Sequence, residues 1–110
     1  MSWEDIIKRH SASMSDKDKE MIRYVMNDGS ARTLDSLMDD IYTEIEITKK
    51  LTPIKRQNLV RELGRPAYTK FGASQKMIRI FLQGSPDYES KKIGKNEFGR
   101  TIHEFRYIGE

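Results

Sequence analysis

The sequence predicts an α+β domain in which helices come first and a β-hairpin closes the chain. Three observations carry this. Apolar residues recur at helical spacing as far as residue 63. They alternate in "RTIHEFRYIG". A polar, glycine-bearing stretch separates the last two apolar runs. A chain of 110 residues is the size of one domain, and a 36% apolar share allows one modest core. Residues 1–14 are expected to form an N-terminal arm or short helix, and residues 15–110 the domain itself.

In the arm, Trp3, Ile6 and Ile7 fall at helical spacing and offer a contact for a second copy of the chain. Ser15 then caps a helix whose first turn holds Asp16 and Asp18, where the helix dipole favours acid. Met21, Ile22, Val25 and Met26 form its apolar stripe, and Gly29 in "NDGS" supplies the left-handed stop. Thr33 caps the next helix. Leu34, Leu37, Met38, Ile41 and Tyr42 follow at i, i+3, i+4, i+7 and i+8, and the end is expected between Tyr42 and Glu46, where "TEIEIT" alternates. In "LTPIKRQNLVRELGRP", Thr52 caps, Pro53 takes the first helical position, and Gly64 and Pro66 stop a helix over 53–63. Beyond it, "KMIRIFLQG" and "RTIHEFRYIG" read as strands, although Met77, Ile78 and Phe81 also fit a helix. The basic stretch "SPDYESKKIGKNEFG" would be the hairpin tip between them.

Charge is distributed unevenly. Residues 1–47 carry 6 Lys/Arg against 11 Asp/Glu, a net −5, whereas residues 48–110 carry 14 against 6, a net +8. A basic half suits a polyanionic partner. Cysteine is absent, which removes disulfides, thiolate metal sites and a cysteine nucleophile, and fits a cytoplasmic protein. The start "MSWEDIIKRH" is too acidic and its apolar part too short for a signal peptide, and no run approaches the ~18 apolar residues of a membrane span.

On the 53–63 helix, residues placed 100° apart put Leu59, Val60 and Leu63 in one sector, expected to be buried. Ile54, Gln57, Asn58 and Arg61 lie opposite. Gln and Asn can pair with an adenine edge, Arg can fork onto guanine, and Ile54 can meet a thymine methyl. Lys49, Lys50, Lys55 and Arg65 flank this face, and Lys91, Lys92, Lys95 and Arg100 mark the hairpin as further phosphate contacts. Arg56 falls within the apolar sector and needs an outward path.

The order of helix, helix, capped helix and basic hairpin over residues 15–108 resembles the winged helix-turn-helix family. The resemblance rests on residues 33–42 as supporting helix, 53–63 as recognition helix, and 77–82 with 102–108 as the wing strands. It implies a winged-helix-like three-helix core, a recognition helix in the major groove of double-stranded DNA, and a wing on the backbone or minor groove. The expected function is non-enzymatic DNA binding in transcription regulation, without cofactor and with a possible homodimer. A protein-interaction adaptor on the same fold stays open, as does a single-stranded nucleic-acid or RNA binder using Tyr68 and Phe71.

Enzymatic constellations are weak. "GKNEFGRT" approaches a phosphate-binding loop but has Arg100 in the lysine position and a strand pattern after it. His10 and His103 have no second ligand at metal spacing. Asp39–Asp40 and Glu44 with Glu46 lie on a solvated helix face.

Overall fold

The computed structural model describes residues 14–109. The described residues form a mixed α+β fold of four helices and a three-stranded antiparallel sheet, with a winged-helix-like layout that ends in a C-terminal hairpin. The N-terminal arm with Trp3, Ile6 and Ile7, expected as a contact for a second copy, lies outside the described residues.

Helix α1 spans Asp16–Met26, and the Ser15 hydroxyl accepts from the Asp18 N–H at 3.1 Å. Its apolar stripe is buried as the spacing requires. Gly29, at φ 75°, turns the chain into β1 (Arg32–Thr33). Arg32 fixes this corner. Its guanidinium donates two hydrogen bonds to Asp28, at 2.8 and 2.7 Å, and its Nε donates to Asp40 Oδ2 at 2.8 Å. The bond to Arg32 holds the Asp28 carboxyl well below the usual carboxylate range.

Helix α2 (Leu34–Lys49) starts on Thr33 as expected but runs past Tyr42–Glu46 to Lys49. The alternating "TEIEIT" stays helical because Ile41, Ile45 and Thr48 fall on one helical line and are buried together. Thr48 keeps its hydroxyl satisfied by donating to the Glu44 carbonyl at 2.9 Å.

Helix α3 (Pro53–Leu63) has the start and stop read from the sequence. Thr52 caps it, Pro53 opens it, and Gly64 closes it at φ 61°. Its expected burial is corrected: no residue of α3 is buried. Leu59 is only partly covered, Val60 is exposed, and Leu63 keeps 71% of its surface in solvent. The core is already filled by α1, α2, α4 and the sheet, so α3 rides outside it. Two arginines tether it. Arg56 donates from Nε to the Thr48 carbonyl at 3.0 Å and from Nη2 to the Lys49 carbonyl at 3.1 Å, capping the negative end of α2. Arg65, just beyond α3, pairs with Glu44 and lies 5.8 Å over the Tyr24 ring.

Residues 64–74 return along α1. Pro66 and Ala73 are buried, the Tyr68 hydroxyl donates to Glu20 at 2.5 Å, and Tyr68 and Phe71 pack on the core. They are therefore structural rather than a free stacking platform.

The strand expected at 77–82 is instead part of helix α4 (Gln75–Gly84). Ser74 caps it, accepting from the Met77 N–H at 3.3 Å. Ile78 and Leu82 are fully buried, Ile80 is buried as well, and Met77 and Phe81 pack on the same core, whereas an alternating strand would have turned Met77 and Phe81 to the face opposite Ile78 and Leu82. The wing strands are β2 (Tyr88–Lys95) and β3 (Thr101–Tyr107), so much of the stretch expected as a tip is itself strand. Strand β3 is central, between β1 and β2, and delivers Phe105 into the core at 1% exposure. Tyr88 packs edge-on between Phe81 and Tyr107, and burial pushes its hydroxyl up to about 12.

Candidate nucleic-acid interface

Two surfaces carry the sequence-selected residues, and they lie on different elements. On α3, Ile54, Gln57, Asn58 and Arg61 are all exposed on one side, as the helical phase requires. That helix is not seated on the core, however. Of the flanking cations, Lys50 and Lys55 are exposed, Lys49 pairs with Glu46 at 3.3 Å, and Arg65 is committed to Glu44 with only 16% of its side chain in solvent. Arg65 is therefore corrected from a phosphate contact to an internal tether.

The helix that sits rigidly against the sheet is α4. Ile78 and Leu82 lock one side of it into the core, and Ile80, next to Lys76 by helical phase, is buried as well, which leaves Gln75, Lys76, Arg79 and Gln83 exposed at i, i+1, i+4 and i+8. Gln75 donates to Asp35 at 2.9 Å, which ties the start of α4 to the first turn of α2. Gln75 and Arg79 share a shallow pocket with Thr33, Asp35, Thr101, Ile102 and His103. The first turns of α4 are thus continuous with the tip-proximal half of β3. His103 stacks against Phe105, and its Nδ1 is buried without a hydrogen-bond partner among the described residues.

The hairpin register sorts its lysines. Ser90 is opposite Phe105, Lys91 opposite Glu104, and Lys92 opposite His103. Phe105 faces the core, and strand side chains alternate, so His103 and Lys92 share the α4 side of the sheet. Lys91 lies on the reverse side with Glu104 and with the Arg106–Glu89 pair, which spans 3.1 Å. A bulge follows Lys92, and Lys95 is then opposite Thr101.

The tip is a tight turn. The Asn96 N–H donates to the Arg100 carbonyl at 2.9 Å, and the Asn96 side-chain oxygen accepts from the Phe98 and Arg100 N–H groups, both at 2.9 Å. Gly99 takes the left-handed conformation, φ 78°, that this turn demands. Phe98 is thereby held out with 79% of its surface in solvent, between Lys95 and Arg100, which are also exposed.

Lys76, Arg79, Gln83 and Phe98 are not singled out by the sequence alone. Ser74 as a cap, with polar residues at 75, 76, 79 and 83, was the available signal for α4, and it was hidden by the strand reading. Among the described residues, no group of three or more His, Asp or Glu could hold a metal, and no helix is long and apolar enough to cross a membrane. No family model matches the chain, and neither a curated protein nor a solved structure shows significant similarity to it.

Proposed function

We propose that this protein binds double-stranded DNA, with α4 in the major groove and the hairpin on the flanking backbone, and acts as a transcriptional regulator. The observation that carries the reading is α4 itself: a core-locked helix that exposes Lys76, Arg79 and Gln83 and whose first turns adjoin the start of β3 in a lysine-bearing hairpin. A helix fits the major groove, a forked guanidinium can select guanine, and an amide can select adenine. Rigidity favours α4 over α3 as the reader, because choosing a base requires a donor held in fixed geometry. Lys92, Lys95 and Arg100 would meet phosphates. Phe98, an apolar group between cations on a fixed turn, has the chemistry of a minor-groove wedge.

The test compares two arginines on different helices. Arg79→Ala is expected to cost about 1–3 kcal/mol on a site selected from random duplexes and to relax specificity at one base pair. Arg61→Ala, on α3, is expected to leave that preference intact. If Arg61→Ala alters the preferred base and Arg79→Ala does not, α3 is the reader. If neither protein nor variant prefers any duplex, the DNA reading fails.

A further inference from the structure

Helix α3 poses a physical problem on its own. It has 11 residues, none of them buried, and helices of that length are marginal in water without tertiary support. Its side chains are also not those of a solvated helix. Ile54 and Leu63 are each 71% exposed, and Leu59 and Leu63 line a shallow, mainly apolar groove with Leu51, Lys55, Asn58 and Glu62.

We infer that this groove is a self-association surface, covered by the same groove of a second copy through antiparallel pairing of α3 helices. The argument is one of symmetry and charge. Lys55 and Glu62 are seven residues apart, so they lie on nearly one line of the helix, about 10 Å from each other. Both are exposed, and neither has an ion-pair partner among the described residues. The midpoint between them falls between Asn58 and Leu59. A two-fold axis across the helix at that point sets Lys55 of each copy against Glu62 of the other and Leu59 against Leu59. Leu63 then covers the Lys55 methylenes at the rim. Such an isologous contact needs one surface that complements itself in both shape and charge. Opposite charges placed symmetrically about a leucine meet that condition. The other cations of α3, Arg56 and Arg61, point more than 90° away from this line by helical phase and do not oppose each other across the axis.

The inference does not rest on DNA binding, and its test contains no DNA. One helix pair buries less than the ~1,200 Å² of a standard interface, so association should be weak, with a dissociation constant on the order of micromolar or above. Sedimentation equilibrium of the full chain over about 10–500 µM is expected to show a monomer–dimer equilibrium. Lys55→Glu sets two like-charged pairs across the axis and should raise the dissociation constant at least ~10-fold. The swap Lys55→Glu with Glu62→Lys rebuilds both pairs and should return it to within about three-fold of wild type. Both positions are exposed, and Glu at 55 suits the first turn behind the Thr52 cap, so the helical circular dichroism and thermal midpoint of the monomer should not fall in either variant. A chain that stays monomeric throughout overturns the inference. So does a dimer indifferent to Lys55→Glu, or one that the swap fails to restore, and either result leaves α3 to another occupant, such as the chain's own first 13 residues.

Discussion

Lys91 and Lys92 are neighbours in sequence and lie on opposite faces of the wing. Lys92 lies across from His103 on the side shared with α4, whereas Lys91 lies across from Glu104 on the reverse side. If α4 and the wing approach one duplex together, Lys92 can reach a phosphate and Lys91 cannot without turning the sheet over. The size of the contrast follows from counterion release. Each neutralised phosphate releases about 0.9 of a monovalent counterion, so at about 0.1 M salt one lost contact lowers affinity roughly 8-fold, or about 1.2 kcal/mol. With Arg79 on a base edge, Lys76, Lys92, Lys95 and Arg100 are the four cations left for phosphates, which gives wild type a slope of log affinity against log salt near −3.6, or about 0.9 per contact. Lys92→Ala should make that slope shallower by about 0.9 and weaken all duplexes alike, while Lys91→Ala should leave both quantities within error. The assay is fluorescence anisotropy of a labelled duplex at four or five salt concentrations for each protein. Equal losses in the two variants would refute the face assignment and reduce the wing to an undirected charge cloud. A wild-type slope near zero would remove nucleic acid altogether.

Two further outcomes concern stability. Phe105→Ala should cost about 3–5 kcal/mol in chemical denaturation, because that ring is almost fully buried at the centre of the sheet. Leu63→Ala should stay within about 0.5 kcal/mol in dilute solution, and a larger loss would mean that α3 is packed on its own domain after all. The Asp28–Arg32 pair predicts an acid-sensitive corner. A carboxyl whose folded pKa lies below its unfolded value adds stability above that unfolded value, near 4, and loses the contribution as pH falls further. Asp28→Asn should therefore lower the thermal midpoint at neutral pH and flatten its decline below about pH 4. The effect should be small, since half of the Asp28 side chain is in solvent, and an unchanged decline would show that the pair is electrostatically idle.

Local signals determined much of this protein. The caps at Ser15, Thr33 and Thr52, and the stops at Gly29 and Gly64, are written in residues that satisfy or release backbone groups within one turn, so they could be read without knowing the fold. The stripes of α1 and α2 and the alternation of β3 were equally legible, because each spans enough residues for its period to be unambiguous. The α+β class followed from them.

Tertiary packing decided the rest. "KMIRIFLQG" has an apolar pattern short enough for either period, and only the core waiting between α2 and the sheet selects the helix that packs Met77 and Phe81 on the same side as Ile78 and Leu82. The leucines of α3 look like a buried side in one dimension. Whether they are buried depends on the space left once α4 has taken the place beside the sheet, a competition between segments more than ten residues apart. The same holds for the cations. Arg65 is indistinguishable in sequence from a free phosphate ligand, but the carboxylate of Glu44 claims it first, and Arg56, out of place in an apolar sector, finds its partners at the carbonyl end of α2. Lys91 and Lys92 differ only through the strand register. Sequence fixes the chemistry a side chain carries and its phase within an element, while its direction and remaining freedom depend on which elements reach each other.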